Sequence, residues 1–136
     1  MKIAIPGGSG QVGRILARHF HQQGHAVTVF SRTPQPAPWR VVVWDGLTAG
    51  PWVADLRESD VCINLAGRSV NCRYYSANRR TIRESRVRST ALLNQVIPSL
   101  KPAPRLWINA STATIYRHSL DRPMYEASGE LGGIRS

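Results

Sequence analysis

Gly7-Gly8-Ser9-Gly10-Gln11-Val12-Gly13 has the residue types and spacing of a turn that lays backbone N–H groups against a phosphate. Its glycines meet separate needs: a tight turn out of a strand, close approach of backbone to a pyrophosphate, and close packing of a helix on a sheet. Further along, Ser31-Arg32 offers a hydroxyl and a guanidinium, and a guanidinium forks bidentately onto phosphate oxygens.

Such a turn works only between a strand and a helix, and the flanking sequence supplies both. Ile3-Ala4-Ile5 is an apolar strand; Val12, Ile15, Leu16 and Phe20 recur at helical spacing; Gly24 supplies a stop, and Ala26-Val27-Thr28-Val29-Phe30 is a second strand. The order is that of a dinucleotide site, with a βαβ unit carrying a purely structural glycine turn as the alternative. An acid at the end of the second strand would bond the ribose 2′-OH of NAD and repel a 2′-phosphate. Ser31 and Arg32 stand there instead, so the sequence favours NADP(H) over NAD(H), unless Arg32 is one more surface arginine.

The chain has 136 residues and is 42% hydrophobic, enough for one globular domain over residues 1–136. Its net charge of +10 comes from 18 basic residues against 8 acidic ones, and only Lys2 and Lys101 are lysines. That balance suits polyanionic ligands. The arginines are densest from Arg68 through Arg73, Arg79, Arg80, Arg83 and Arg86 to Arg88, near Tyr74-Tyr75, but no base-reading motif accompanies them, which disfavours nucleic acid. Cys62 and Cys72 form neither a redox pair nor a metal cluster, and no metal site is expected. No charged segment with a long apolar run stands at the start of the sequence and no stretch approaches eighteen apolar residues, so a cytoplasmic protein without membrane contact is expected.

The remaining elements alternate. Thr33-Pro34-Gln35-Pro36-Ala37-Pro38 is too proline-rich for regular structure and leads to a third strand, Arg40–Trp44, closed by Asp45-Gly46. Pro51 opens a short helix to about Arg57. Asp60–Gly67 reads as a fourth strand running into a small-residue loop. Ile82, Ser85, Ser89, Leu92 and Val96 mark one face of a helix over Ala77–Ile97, ended by Pro98 and Pro102. Arg105–Thr112 reads as a fifth strand, apolar throughout as a strand buried on both faces is. The right-handed crossover rule then gives an α/β Rossmann-type three-layer sandwich with a mostly parallel sheet in the order 3-2-1-4-5. Ligands in such sheets bind beyond the strand carboxyl ends.

These motifs resemble the extended and atypical short-chain dehydrogenase/reductases, in the epimerase/dehydratase branch. The resemblance is carried by the glycine turn, Asn64-Leu65-Ala66-Gly67, Ile82-Arg83-Glu84-Ser85-Arg86 with Thr90, and Ser111-Thr112-Ala113-Thr114-Ile115-Tyr116. Trp44-Asp45-Gly46 and the Ser85-Arg86 pair look most like the SDR39U1-like epimerase family. The resemblance implies an oxidoreductase or epimerase acting on a carbonyl or sugar-like small molecule. Asp45 would lie near the adenine, Leu65, Ala66 and Gly67 on the nicotinamide side, Arg86 toward the phosphates or ribose and Ser111 against the cofactor, while Thr112 would be the catalytic residue that orients the reacting oxygen of the substrate. Read without the resemblance, Asp45 is a turn residue and Ser111-Thr112 the end of a strand.

The chain departs from that pattern in one respect. In those enzymes a Tyr-x-x-x-Lys pair moves the proton, the lysine lowering the phenol from its usual value of about 10. Four residues beyond Tyr74, Tyr75, Tyr116 and Tyr125 lie Asn78, Arg79, Leu120 and Gly129, none a lysine. By the spacing of sugar epimerases the tyrosine is expected at or just past Ser136, so the chain is expected to be catalytically incomplete. The alternative is a non-enzymatic nucleotide-sensing or protein-interaction module. A fifth strand with an unpaired apolar edge predicts a homodimer or another partner.

Overall fold

The computed structural model describes residues 1–112 and 115–133. In chain order the elements are β1 (Lys2–Pro6), α1 (Gln11–Gln22), β2 (Ala26–Ser31), β3 (Arg40–Val43), α2 (Trp52–Arg57), β4 (Val61–Asn64), α3 (Ser76–Val96), a 3-10 turn (Ile97–Ser99) and β5 (Leu106–Asn109). Within the five-stranded sheet the strand pairings are parallel and the order is β3-β2-β1-β4-β5, as expected; outside it Tyr116 and Leu131 form an isolated antiparallel bridge. Every strand therefore ends on the same edge, and the loops that follow the strands gather there.

The pleat sends alternate residues to opposite faces, and each face has its own core. Ile3, Ile5, Val27, Val29 and Ile63 pack with Ala17 of α1 on one side. Ala4, Phe30 and Cys62 pack with Trp44, Trp52, Leu56 and α3's Leu92, Leu93 and Val96 on the other. In the second core Phe30, Trp44 and Trp52 form an aromatic cluster with ring centroids 5.4–6.1 Å apart, Trp52 meeting the other two edge-on. Trp52 also donates its indole N–H to the Thr48 carbonyl at 3.1 Å, so the cluster braces the turn that follows β3.

Four details depart from the expectations. The face of α1 toward the sheet is Gly13, Leu16, Ala17 and Phe20, whereas Val12 and Ile15 are 59% and 62% exposed. Small residues win the contact because the helix axis must come close to the glycine turn. Pro51 lies just outside α2 as its N-cap. α3 runs Ser76–Val96, and Pro98 sits in the 3-10 turn beyond it. β5 is shorter than Arg105–Thr112 and is an edge strand, with Leu106 and Ile108 51% and 45% exposed. Continuous apolarity cannot tell a central strand from an uncovered edge strand.

Burial pushes the Cys62 thiol up to about 12, while Cys72 is only half-buried. A thiolate-seeking reagent at neutral pH is thus expected to modify Cys72 in the folded protein and Cys62 only after denaturation. Equal rates for both in a native thiol titration would show that the β4 core opens readily.

Candidate functional site

The glycine turn leaves β1 through Gly7, whose φ of +76° is open to glycine at little cost. Gly7 N–H donates to the Phe30 carbonyl at 2.9 Å and Gly8 N–H to the Ile5 carbonyl at 3.0 Å, which lays the turn across the ends of β1 and β2. A Cβ on Gly8 would lie 2.8 Å from the Val29 side chain and one on Gly13 2.4 Å from Gly8 Cα, so the turn admits no side chain at either place. Gly10 is the N-cap of α1, with no side-chain cap and no acidic residue in the first turn. Uncapped N–H groups and the positive end of the helix dipole are what an anion meets there. A cradle that a Cβ would fill, opening on an uncapped helix, fits the pyrophosphate of a dinucleotide.

Two other loops close on this turn. A Cβ on Gly7 would lie 2.7 Å from Ala66 Cα and N, so the loop after β4 touches the glycine turn directly. Leu65 N–H donates to the Pro6 carbonyl at 2.8 Å, extending the β1–β4 ladder into that loop. Asn64, buried at the end of β4, holds the loop from inside: its Oδ1 accepts from Ala66 N–H at 3.1 Å, and its Nδ2 donates to Asn109 Oδ1 at 2.6 Å and Thr90 Oγ1 at 3.3 Å. One side chain thereby ties β4, β5 and α3 together at the carboxyl edge.

Arg86 lies over Gly67, where a Cβ would meet its Cγ and Cζ at 3.1 Å, and its Nη1 donates to the carbonyls of Arg68 and Ile82 at 3.1 and 3.2 Å. Ser85 accepts from Arg68 N–H at 2.9 Å, so the Ser85-Arg86 pair fastens α3 to the Gly67-Arg68 backbone. Arg86 has its place beside the loop, with part of its guanidinium occupied by the protein itself. Along α3, Arg80 and Arg88 both pair with Glu84.

At the end of β2, Ser31 is buried and its hydroxyl lies 3.0 Å from Ser9 Oγ and 2.9 Å from the Thr33 carbonyl. It staples the glycine turn to β2, and its bonding capacity is taken up within the protein. Arg32 is exposed beside it. Asp45 is likewise committed: it accepts from the Leu47 and Thr48 N–H groups at 2.8 and 2.9 Å and from Thr48 Oγ1 at 2.6 Å. Those bonds, the Thr48 hydroxyl foremost, hold its carboxyl down to about 2. Because the folded value lies below the unfolded one, this stabilisation is complete above about pH 4 and is lost as pH falls through about 2. The melting-temperature gap between the natural chain and Asp45→Ala is expected to close over that interval; a gap constant with pH would refute it.

Ser111 and Thr112 follow β5 and are exposed; Ala113-Thr114 of the same motif lies outside the described residues. Both lysines are remote from the strand carboxyl ends, Lys2 opening β1 and Lys101 preceding β5. Sequence reasoning passed over Arg14, Arg18 and Gln35. Arg14 and Arg18, one turn apart on α1, line a cleft of about 210 Å³ against Ser9, Ser31 and the proline-rich connection, and Arg14 Nη2 donates to Gln35 Oε1. The signal for Arg14 was present, since it directly follows the last glycine of the motif. A larger open groove of about 680 Å³ lies at the opposite, amino edge of the sheet. Its charges are already matched, Arg40 with Asp55 at 2.6 Å and Lys2 with Glu58 at 3.3 Å. Among the described residues no cluster of His, Cys, Asp or Glu is arranged to hold a metal ion, and no helix is long and apolar enough to cross a membrane.

A glycine turn feeding an uncapped helix at the carboxyl edge of a parallel 3-2-1-4-5 sheet defines an α/β protein of Rossmann type. The profile of the NAD dependent epimerase/dehydratase family matches residues 3–132, and the chain belongs to that family. It is 34% identical to the epimerase family protein YfhF of Bacillus subtilis over 94% of its own length and 43% of the relative's. It superposes with a TM-score of 0.75 on the structure of human epimerase family protein SDR39U1 with NADPH, at 25% identity over 96% of this chain and 43% of that one. A short-chain dehydrogenase/reductase superfamily protein from Agrobacterium tumefaciens with bound NAD shares the fold, with a TM-score of 0.78 at 19% identity over 98% of this chain and 40% of that one. The chain thus spans about two fifths of the length of the proteins it matches.

Proposed function

We propose that residues 1–136 form the NADP(H)-binding domain of an epimerase/dehydratase-like oxidoreductase. The observation that carries this reading is the cradle at Gly8 and Gly13, which excludes any Cβ and opens on the uncapped N-terminus of α1. The bound human relative supports the choice of NADPH. So does the absence of an acid at the end of β2, where Ser31-Arg32 stands.

In this reading a bound nicotinamide nucleotide supplies hydride transfer. Gly7 to Gly13 seat its pyrophosphate, Asn64 keeps Leu65-Ala66-Gly67 against the turn on the nicotinamide side, and Arg86 flanks the phosphates. Asp45 shapes the adenine end through its turn. Ser111 borders the cofactor, and Thr112 orients a hydroxyl or carbonyl oxygen of a small molecule. No Tyr-x-x-x-Lys pair occurs in these residues, and the roles assigned to them here are those of binding and orienting the nucleotide and substrate.

Titration of the folded protein with NADPH, followed by nucleotide fluorescence, is expected to saturate; no binding would overturn the proposal. Arg32→Ala is expected to lower the preference for NADPH over NADH by about tenfold, the loss of roughly one charge-assisted contact. An unchanged ratio would return Arg32 to the solvent-exposed surface. A second reading, a nucleotide-dependent interaction module that pairs with another copy of itself, draws on the exposed Leu106 and Ile108 along the β5 edge. Light scattering that finds a monomer at high concentration would dismiss it.

A further inference from the structure

The cleft beside α1 carries positive charge that the protein does not answer. Among the described residues neither Arg14 nor Arg18 takes part in an ion pair, although seven such pairs are formed elsewhere. The partner of Arg14 is the neutral amide of Gln35. An amide oxygen aims a guanidinium without neutralising it. Gln35 is itself well placed to do this, because Pro34 and Pro36 on either side restrict its backbone and reduce the entropy of holding it.

The position of the cleft says what the charge is for. One wall is the glycine turn, through Gly8 and Ser9; another is Ser31, at the strand end that meets the adenosine ribose in this class of fold. The Ser31 hydroxyl is spent on Ser9 and Thr33, and Arg32 is not among the residues that line the cleft. The two arginines facing it come from α1, four residues apart and therefore on one side of the helix.

We infer that Arg14 is a specificity-determining residue that reads the 2′-phosphate of the nucleotide, with Gln35 holding it in place and Arg18 adding to the local field. This rests on the dinucleotide reading above and extends it: discrimination between NADP(H) and NAD(H) is built into helix α1 and not only into Arg32. A dianionic phosphate entering the cleft meets Arg14 already oriented, so little side-chain entropy is lost on binding.

Calorimetric titration with 2′,5′-ADP and with 5′-AMP isolates the 2′-phosphate from the rest of the nucleotide. Arg14→Ala is expected to weaken 2′,5′-ADP about tenfold or more while changing 5′-AMP less than about twofold. Gln35→Ala is expected to weaken 2′,5′-ADP by about threefold, since it leaves the charge and removes only the orientation. Arg14→Lys, which keeps charge and volume, decides the matter if Arg14→Ala melts early: it too should weaken 2′,5′-ADP selectively, because an ammonium cannot fork. Equal effects of the Arg14 variants on both probes, or none on either, would overturn the inference and leave the dinucleotide site standing. Failure of the natural chain to bind 5′-AMP, 2′,5′-ADP and NADPH alike would remove the site and the inference together.

Discussion

Gly13→Ala is expected to destabilise the protein by about 3 kcal/mol or more and to abolish saturable dinucleotide binding. The added Cβ would stand 2.4 Å from Gly8 Cα and 2.6 Å from the Gly8 carbonyl carbon and oxygen. These are backbone atoms, fixed by the Gly8–Ile5 and Gly10–Gly7 hydrogen bonds at 3.0 and 3.1 Å, so no side chain can swing aside. Relief must come from moving α1 off the sheet, which opens the contact of Ala17 with Ile5 and Val29 and widens the cradle. In a domain of this size the melting midpoint should fall by on the order of 10 °C. Gly10→Ala is the control, since its Cβ would approach only the Gly7 carbonyl oxygen, at 3.5 Å; it should melt near the natural chain. Similar midpoints for all three proteins would show that α1 is not held where the hydrogen bonds place it.

Asn64→Ala is expected to cost about 3 kcal/mol in urea unfolding, through loss of a buried side chain that satisfies three partners. Thr90 Oγ1 and Asn109 Oδ1 remain 3.2 Å apart and support each other, whereas Ala66 N–H loses its acceptor outright. Asn64→Asp separates the two functions of the residue. It keeps an acceptor for Ala66 N–H but sets a carboxylate against Asn109 Oδ1, so it should be as unstable as the alanine variant near pH 7 and recover as the carboxyl protonates below about pH 5. Because the Ala66 loop touches the glycine turn at Gly7, dinucleotide affinity should fall together with stability in Asn64→Ala. A variant as stable as the natural chain would mean that the loop is held by its backbone bond to Pro6 alone.

Much of the frame is written locally. Ile3 to Ile5, Val27 to Phe30 and Val41 to Val43 are strands because β-branched and apolar runs lie between turn residues. Ile82, Ser85, Ser89, Leu92 and Val96 keep one face over a long helix, and that face is the one toward the protein. Parallel strands joined by right-handed crossovers leave few orders open, and 3-2-1-4-5 is the one found. The glycine turn is equally legible, since three glycines at fixed spacing answer steric demands that arise within a dozen residues of chain.

The tertiary structure alone decided what the side chains at that edge do. Ser31 bonds Ser9 across 22 residues and Asn64 bonds Asn109 across 45, and neither pairing leaves a trace in local periodicity. Arg86 is assigned to the phosphates or ribose by the family resemblance alone, whereas its anchoring on the Arg68 carbonyl follows from how α3 lies over Gly67. Val12 and Ile15 satisfy the helical period as well as Gly13 and Ala17 do; the close approach demanded by the turn selected the small residues for the interior. Arg14 and Arg32 look alike in sequence, and only packing sets Arg14 within the cleft beside Gln35. The elements, their order and the glycine turn are therefore legible in the sequence alone, because those depend on backbone sterics and period. The tertiary structure decided which charges are spent and which are left to meet a ligand, because hydrogen bonds and ion pairs are settled between residues that only folding brings together.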